Sequence, residues 1–386
     1  TVSGGGTGTA GARIPFGGAV ISMERFNKII GISEEAMSAR VEAGVPVEEF
    51  KNSCEKKNLF YASHPTEPTA FIGGTIATNA SGARSFKYGP TRKHVNRLKM
   101  VLAGGRIFEI SRGQQTLMKN DSTLKLPDGS EIKIPLPSYR MPDTKNSAGY
   151  YAKDGMDAID LFIGQEGTLS VITEAEIRLL KKLARIFGCF VFFKKETDAW
   201  NFSRAMRGEK ETGVLSLEYF DSNALLLLCA ANNSVPAKMN AAIYFEEEIG
   251  GDAKEDAVLK RLQETISCHN ASLDDTWIAK TDEAISRFMK FRHHIPEALN
   301  ELTRRSGFVK QSTDIAVPDD KFFDMMNYYS RAFKDTDIRH VIFGHIGENH
   351  LHVNILPASE IEAAHAKTIC LDLVRKGVAL GGTVSA

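Results

Sequence analysis

The stretch Val341–Leu356 carries the residues of this sequence whose types and spacing best suit chemistry. It reads VIFGHIGENHLHVNIL, with His345 before a turn-forming segment and His350, His352 and Asn354 after it. Strand-forming residues flank this segment, which predicts a β-hairpin. Alternation along a strand places His350, His352 and Asn354 on one face. Folding about the turn would make His345 and His352 cross-strand neighbours, with Cβ atoms about 5 Å apart.

Two imidazoles at that separation can share a metal ion. A third ligand, most simply a carboxylate, would complete an open site for a divalent metal such as Zn, Mn or Fe. His345 and His352 are therefore the candidate metal ligands. The alternative is a hairpin that carries surface histidines, and the spacing alone does not decide between the two.

The composition excludes several classes of function. The 386 residues include 48 Lys and Arg and 48 Asp and Glu, so the formal charge is zero. A neutral chain argues against nucleic acid or an acidic membrane as a partner, and the length predicts two or more domains. The longest apolar run, 224–231, is too short to span a bilayer. The 5 cysteines form no CxxC pair, which is typical of reduced thiols in a cytosolic protein.

Three glycine-rich segments mark the first half of the chain. The first, GGGTGT at 4–9, follows a predicted strand and could bind an anion through backbone N–H groups. It is neither a P-loop nor a dinucleotide fingerprint, because no Gly-Lys-Ser/Thr and no amphipathic helix follow it. The second reads PTEPTAFIGGTIATNASG at 65–82, and the third reads LFIGQEGTLSVIT at 161–173. Each segment taken singly is equally typical of an ordinary turn.

Together with GHIGENHLHVN at 344–354, these segments resemble the vanillyl-alcohol oxidase/p-cresol methylhydroxylase superfamily of FAD enzymes. The branch they resemble contains D-lactate dehydrogenase (cytochrome), the glycolate oxidase D subunit and D-2-hydroxyglutarate dehydrogenase. The resemblance covers nearly the whole chain, in order, and implies an α+β fold. A two-subdomain p-cresol methylhydroxylase-type FAD-binding domain would occupy residues 1–182. A ferredoxin-like, antiparallel-sheet substrate and metal domain would occupy residues 183–386, beginning with a predicted strand at Phe187–Phe193.

The same resemblance implies FAD as the cofactor and assigns its contacts. The pyrophosphate would lie on the first glycine segment, the isoalloxazine against the second and the adenosine half against the third. The implied FAD-binding residues are Gly4, Gly5, Gly6, Thr7, Gly8, Thr9, Pro65, Thr66, Gly73, Gly74, Thr78, Asn79, Ser81, Gly82, Glu166, Gly167, Val171 and Ile172.

Two cationic side chains in the second half are candidate substrate ligands. Arg292 lies in a predicted helix over 282–302, and Lys310 lies in a predicted strand over 307–318. Taken alone, they are equally a surface arginine and a lysine at a strand edge. The resemblance implies that both hold a substrate carboxylate and that Asn354 touches the substrate. A guanidinium suits this task through bidentate hydrogen bonds, and an ammonium suits it through charge.

The sequence departs from the family pattern at several points. Pro296 stands where the hydroxyglutarate enzymes have a threonine, which argues against 2-hydroxyglutarate as the substrate. The family motif GHxGDGNLHxN differs here at Glu348, Asn349 and His350, so analogy gives His350 no role. The family continues past the position of Ala386 into Glu-His-Gly, which supplies the third metal ligand and the catalytic base. The sequence also begins after the family's first strand and helix, so we expect a fragment with two of the three ligands and no identifiable base.

The resemblance predicts FAD-dependent oxidation of a D-2-hydroxy acid such as D-lactate or glycolate. Hydride would pass to flavin N5, assisted by a metal. Electrons would then leave to a cytochrome, a quinone, an electron-transfer flavoprotein or an Fe–S protein. The expected location is cytoplasmic, with peripheral association with the inner membrane and homodimer formation left open. The alternatives are a non-redox FAD enzyme of the alkyl-glycerone-phosphate synthase type and a non-catalytic flavin-binding subunit of a larger oxidase.

Overall fold

The computed structural model describes residues 1–8, 11–63, 65, 67–138, 141–145, 148–208, 213–231, 235–249 and 252–385. This part of the chain divides into two units. Unit 1 comprises Thr1–Met141 and Asn146–Lys182, and unit 2 comprises Pro142–Lys145 and Leu183–Ala386. No helix in the described ranges is both long and apolar enough to cross a membrane.

Unit 1 is built on a five-stranded antiparallel sheet flanked by short strands and helices. Its strands are β1 (Val2–Ser3), β2 (Ile21–Ser22), β3 (Ile29–Ser33), β4 (Ser38–Glu42), β5 (Leu59–Phe60), β6 (Val95–Leu102), β7 (Ile107–Ser111), β8 (Thr116–Leu117), β9 (Thr123–Lys125), β10 (Glu131–Lys133), β11 (Met156–Asp157), β12 (Ser170–Arg178) and β13 (Leu180–Lys181). Its helices are α1 (Val47–Glu55), α2 (Ile72–Ala77) and α3 (Ser85–Tyr88). The sheet order is β3-β4-β12-β6-β7.

One apolar core holds unit 1 together. Along β6, Leu98, Met100 and Leu102 are buried at every second position, as expected for a strand with one face on a core. Ile172 and Ile177 of β12 join the same core, to which α2 contributes Ile72 and Ile76. Ile72 and Ile76 therefore attach the second glycine segment to the core of unit 1.

Unit 2 is an eight-stranded, wholly antiparallel sheet in the order β17-β14-β16-β15-β19-β20-β18-β21. Its strands are β14 (Ile186–Phe193), β15 (Val214–Asp221), β16 (Ala241–Glu248), β17 (Trp277–Ala279), β18 (Gln311–Ala316), β19 (Arg339–His345), β20 (His350–Leu356) and β21 (Thr383–Ser385). Its helices are α4 (Glu196–Gly208), α5 (Ser222–Ala231), α6 (Asp252–Cys268), α7 (Asp282–Ser306), α8 (Phe322–Ala332) and α9 (Glu360–Ala379). The prediction of an α+β fold with an antiparallel-sheet second half is confirmed.

Helix α7 runs further than the predicted 302, and the strand expected over 307–318 is shorter than predicted and leaves Lys310 outside it. Thr281 caps the helix by accepting a hydrogen bond from Ala284 N. Gly307 ends it in the left-handed conformation, with φ of 74°, which glycine adopts without strain. Strand β18 therefore begins only at Gln311, and Lys310 lies in the connection before it.

The buried His94 of unit 1 should make stability depend on pH. Burial is the main cause that lowers its imidazole pKa from 6.5 to about 4, although its Nε2 lies 3.1 Å from the Tyr88 carbonyl oxygen. A histidine whose folded pKa is depressed contributes stability above pH 6.5, and that contribution is lost as pH falls towards 4. We expect the wild type to lose about 2 kcal/mol more unfolding free energy than His94→Gln between pH 7.5 and 4.5. Urea denaturation at both pH values measures this, and equal losses would contradict it.

Candidate active site

The histidine hairpin forms as strands β19 and β20, with a register that differs from the predicted one. His345 pairs with His350, and His352 pairs with Phe343, so His345 and His352 are diagonal rather than direct neighbours. The turn takes two more residues than a tight hairpin because a 3-10 turn over 346–348 precedes Asn349, whose φ is 51°. The ring centroids of His345 and His352 still lie 5.3 Å apart, so both imidazoles share one region of the sheet.

A buried carboxylate, Glu218, and a half-buried one, Asp314, orient these two imidazoles. Glu218 of β15 places Oε1 2.6 Å from Nδ1 of His345. Asp314 of β18 forms a short hydrogen bond with Nδ1 of His352, its direct partner across the strands. A carboxylate accepts and does not donate, so each imidazole carries its proton on Nδ1 and presents the Nε2 lone pair. This is the arrangement of metal-binding histidines in which an outer carboxylate fixes the tautomer.

The third imidazole has a different partner. His350 is buried, and its Nδ1 lies 2.7 Å from Nζ of Lys145. The ring centroids of His350 are 5.7 Å from His345 and 5.1 Å from His352. Its Nε2 is buried without a hydrogen-bond partner among the described residues. The three imidazole rings therefore lie close together, but Nδ1 of His350 faces an ammonium group whereas Nδ1 of His345 and Nδ1 of His352 face carboxylates.

The donor set fits a divalent metal ion. Ligand atoms of Asp314, His350 and His352 all lie within 4.8 Å of one another, the one such group among the described residues. Hydrogen bonding separates their roles, because Nδ1 of His350 already faces an ammonium group, whereas His345 and His352 keep Nε2 lone pairs. A mixed nitrogen and oxygen set of this kind suits Zn, Mn or Fe. His345 and His352 stay the predicted metal ligands, and the group within 4.8 Å contains His352 but has Asp314 and His350 in place of His345.

Arg292 reaches the same face of the sheet from helix α7. Its Nη2 lies 3.1 Å from Oε2 of Glu218, and both side chains are at least nine-tenths buried. Its Nη1 is buried and has no hydrogen-bond partner among the described residues. A buried guanidinium donor without an acceptor is costly unless a ligand supplies one. Arg292 is therefore positioned to hold an anion, and Glu218 links it to His345.

Lys310 is the second cationic side chain of the site, and it is hydrogen-bonded to Asn354. Nζ of Lys310 donates to Oδ1 of Asn354 at 3.1 Å. Asn354 lies on β20 at the same face as His352, two residues further along the strand. Asn354 is buried, and burial lowers the pKa of the Lys310 ammonium group. The structure thus joins Lys310 to the histidine strand, although the lysine precedes β18 rather than lying in it.

Burial and charge fix the protonation of the site at neutral pH. Burial acts to raise the pKa of the Glu218 carboxyl, but the charge of Arg292 and the hydrogen bond from His345 outweigh it and hold that pKa at about 2. Burial likewise acts upward on the Asp314 carboxyl, yet His352 brings its pKa below the usual value. Burial and the charge of Lys145 lower the pKa of His350 well below 6.5. The site therefore contains two carboxylates and a neutral His350.

The three glycine segments occupy defined places in unit 1. The first forms the loop after β1, the second contains α2 and the turn that follows it, and the third leads into β12. Of the predicted FAD-binding residues, Gly4, Gly5, Gly6, Thr7 and Gly8 lie in the first; Pro65, Gly73, Gly74, Thr78, Asn79, Ser81 and Gly82 in the second; and Glu166, Gly167, Val171 and Ile172 in the third. Thr9 and Thr66 lie outside the described residues.

Backbone contacts bring these segments together. The Gly164 amide donates to the Ile76 carbonyl at 2.9 Å, and the Glu166 amide donates to the Ala77 carbonyl at 2.8 Å. A Cβ built on Gly5 would lie 2.6 Å from the Thr69 carbonyl oxygen. One built on Gly167 would lie 3.5 Å from the side chain of Val2. The first segment thus packs against the second, and strand β1, which leads into the first segment, packs against the third.

Two predicted FAD contacts sit differently from the rest. Val171 and Ile172 lie within β12, opposite Val101 and Met100 of β6. The Ile172 side chain is part of the unit 1 core, so it is turned away from any ligand at the surface. Any contribution of Ile172 to FAD binding must therefore come from its backbone.

Several residues that position the site were not predicted from the sequence. In unit 2 they are Glu218, Asp314 and Lys145. In unit 1, Arg92 holds the second and third glycine segments in place. Its amide donates to Oδ1 of Asn79 at 3.0 Å, and its guanidinium forms short hydrogen bonds with the carbonyls of Asp160 and Ile163. The only sequence signal was for Glu218, a charged residue within the otherwise apolar strand VLSLEYF.

Gly73 and Gly74 give a matched test of the cofactor surface. A Cβ on Gly73 would lie 2.6 Å from Cβ of Ala43, whereas one on Gly74 would meet nothing within 4 Å. We expect Gly73→Ala to lose about 1–3 kcal/mol of unfolding free energy through overpacking. Gly74→Ala should fold as stably as the wild type but bind FAD at least tenfold more weakly, since the methyl group fills the surface where the flavin would lie. Denaturation and fluorescence titration with FAD measure the two effects, and unchanged FAD affinity in Gly74→Ala would contradict the placement.

Comparison with known proteins identifies both halves of the chain. Residues 1–111 match the family described as FAD binding domain, and residues 188–386 match FAD linked oxidases, C-terminal domain. The chain is 27% identical over 371 residues to D-2-hydroxyglutarate dehydrogenase of Xanthomonas citri, covering 95% of this chain and 70% of that protein. It is 24% identical over 401 residues to D-lactate dehydrogenase of Anaerostipes hadrus, covering 100% and 74%. It is 25% identical over 396 residues to glycolate oxidase subunit GlcD of Bacillus subtilis, covering 99% and 73%.

A solved structure of alkyldihydroxyacetonephosphate synthase superimposes with a TM-score of 0.66 at 17% identity, covering 99% of this chain and 66% of that chain. At this identity the likeness shows the fold alone. The second matched family extends over half of the chain, and the relatives named above align along nearly all of it. The resemblance predicted from the four motifs is confirmed. The chain therefore belongs to the FAD-linked oxidases of the p-cresol methylhydroxylase superfamily, and FAD is its cofactor.

Proposed function

We propose that this chain is an FAD-dependent dehydrogenase that oxidises a small D-2-hydroxy acid, such as D-lactate or the achiral glycolate, to the 2-oxo acid. The observation that carries the proposal is the pairing of two kinds of group on one sheet face. His345 and His352 present Nε2 lone pairs, and Arg292 beside them has a buried Nη1 without an acceptor. A 2-hydroxy acid presents matching chemistry, with a hydroxyl group next to a carboxylate.

The chain's own side chains divide the work of holding this substrate. Arg292 and Lys310 neutralise the carboxylate, with the planar guanidinium setting its orientation. Asn354, held by Lys310, offers an amide to the same group. Bound FAD would supply the acceptor for the hydride of C2, and His345 and His352 would hold a divalent metal that would lower the pKa of the hydroxyl group. The dry environment of Glu218 and Arg292 strengthens each of these charge interactions.

The substrate is proposed to be small because of Pro296. This residue lies inside α7, one turn after Arg292, and has no side-chain donor for a second carboxylate. The relatives are named for D-lactate, glycolate and D-2-hydroxyglutarate, which share the 2-hydroxy-carboxylate group. We therefore place D-lactate and glycolate ahead of D-2-hydroxyglutarate.

Dye-linked turnover tests the proposal. The full-length protein, loaded with FAD and with Zn, Mn or Fe in turn, is assayed with D-lactate, L-lactate, glycolate and D-2-hydroxyglutarate. The dye stands in for the natural acceptor, which we propose to be a cytochrome, a quinone, an electron-transfer flavoprotein or an Fe–S protein. We expect turnover of D-lactate or glycolate, at least about 100-fold above L-lactate because misplacing C2 by about 1 Å is that costly. Absence of turnover with every hydroxy acid would contradict the proposal and favour the non-redox synthase or the non-catalytic subunit.

A further inference from the structure

His350 is the one imidazole of the cluster whose partner is a cation. Its Nδ1 faces Nζ of Lys145 at 2.7 Å, whereas Nδ1 of His345 and Nδ1 of His352 face carboxylates. The Lys145 side chain is 11% exposed, and its Nζ lies 4.0 Å from a Glu348 carboxylate oxygen that supports the ammonium form. The contact is therefore a buried, directional one rather than a surface approach.

This partner dictates the tautomer of His350. An ammonium group has three donors and no acceptor, so Nδ1 of His350 must accept the hydrogen bond. In a neutral imidazole the proton then resides on Nε2. His345 and His352 have the opposite tautomer, with Nδ1–H and an Nε2 lone pair. The cluster therefore offers two nitrogen lone pairs and one N–H group.

The N–H group of His350 lacks an acceptor. Its Nε2 is buried and is hydrogen-bonded to no residue in the described ranges. Buried donors of native proteins are almost always satisfied, by protein, by water or by a ligand. His350, the first residue of β20, lies opposite His345 across the strands, and its ring centroid is 5.7 Å from that of His345 and 5.1 Å from that of His352. An oxygen of a ligand held there is the acceptor that this geometry lacks.

We infer that His350 is a substrate-binding residue whose Nε2–H, fixed by Lys145, donates a hydrogen bond to an anionic oxygen of the bound 2-hydroxy acid. The inference deepens the proposed function and rests on it. It also excludes His350 from the metal ligands, although its atoms lie within 4.8 Å of those of Asp314 and His352. Lys145 is then a positioning residue, which acts on the substrate through the tautomer of His350.

Three variants separate this role from metal binding and from folding. In His350→Gln, the side-chain amide nitrogen can take the place of Nε2–H, whereas His350→Leu has no donor. Lys145→Met leaves His350 in place but removes the donor that fixes its tautomer. The probes are oxalate, which presents adjacent oxygens as a 2-hydroxy acid does, and Co²⁺. Oxalate binding is followed by the change in the flavin visible spectrum, and Co²⁺ binding by its own absorption bands.

We expect the oxalate Kd to rise about tenfold in His350→Leu and in Lys145→Met, and by less than about threefold in His350→Gln, as for one hydrogen bond to a charged acceptor. The Co²⁺ Kd should stay within about threefold of wild type in His350→Gln and His350→Leu. NMR of the protein labelled with ¹⁵N-histidine should show His350 as the Nε2–H tautomer in wild type. Lys145→Met should lose that preference.

Two results would overturn the inference. One is an Nδ1–H tautomer of His350 in wild type. The other is a Co²⁺ Kd at least tenfold weaker in both His350 variants, which would make His350 a metal ligand. Neither measurement needs turnover, so their outcome is distinct from failure of the proposed function, which the hydroxy-acid assay of the wild type reports by itself. His350→Gln preserves the volume of the side chain and serves if His350→Leu does not fold.

Discussion

His352→Ala is expected to keep its FAD and to lose roughly 10³-fold in the rate at which a D-2-hydroxy acid reduces the flavin. The cofactor segments lie wholly in unit 1, whereas His352 lies in β20 of unit 2. Removal of the imidazole takes away one of the two Nε2 lone pairs that would hold the metal. Stopped-flow reduction of the flavin, together with metal content by atomic absorption, measures both consequences.

His340 provides the matched control for this variant. It lies on β19, pairs with Ile355, and stacks on Phe333 with ring centroids 3.8 Å apart, so it belongs to the opposite face of the sheet. We expect His340→Ala to change stability but to leave metal content and the rate of flavin reduction within about twofold per bound FAD, as for sites without shared partners. A His352→Ala enzyme with wild-type reduction rate and no bound metal would contradict the role assigned to the ion.

Arg292→Leu is expected to raise the KM for the hydroxy acid by about 100-fold and to destabilise the protein by about 3–5 kcal/mol. The second effect arises because Glu218 would remain as a buried carboxylate facing only His345. Glu218 links Arg292 to the hairpin, with contacts of 3.1 Å to Arg292 and 2.6 Å to His345 on its two oxygens, so loss of Arg292 should affect both the proposed substrate site and the hairpin. Steady-state kinetics and urea denaturation separate the two effects.

A double variant tests whether the buried Glu218 carboxylate causes the loss of stability in Arg292→Leu. Glu218→Gln removes the stranded charge, so Arg292→Leu/Glu218→Gln should recover part of the stability lost by Arg292→Leu while KM stays high. Arg305, 72% exposed on the same helix and paired with Glu301, supplies a control: Arg305→Leu should change stability by less than about 0.5 kcal/mol. If Arg292→Leu is as stable as the wild type, the buried ion pair between Arg292 and Glu218 does not stabilise the protein as proposed.

Local patterns predicted the elements of this protein better than the connections between them. The alternation around His350, His352 and Asn354 was sufficient to place these residues on one face of a strand. The register of the hairpin was not determined by spacing, because the turn could form at several points of GHIGENH. Asn349, whose left-handed conformation ends the 3-10 turn, shifts the pairing so that His345 meets His350.

The carboxylates and the lysine that set the tautomers were beyond prediction because they come from distant parts of the sequence. Asp314 is 38 residues from His352, Glu218 is 127 residues from His345, and Lys145 is 205 residues from His350. Only the strand order β15-β19-β20-β18 brings Glu218 and Asp314 to the two sides of the hairpin. No periodicity within any one strand contains that order. The family motifs predicted which segments matter, and the sheet decides which side chains orient them.

Anaerobic titration of the full-length protein, loaded with FAD and metal, with D-lactate, L-lactate and glycolate shows whether this protein is a metal-dependent dehydrogenase of D-2-hydroxy acids. We expect D-lactate or glycolate to bleach the visible flavin band, L-lactate to leave it unchanged, and a chelator or His352→Ala to abolish the bleaching. A flavin that stays oxidised with each of these acids, in protein that binds both FAD and metal, would contradict the account.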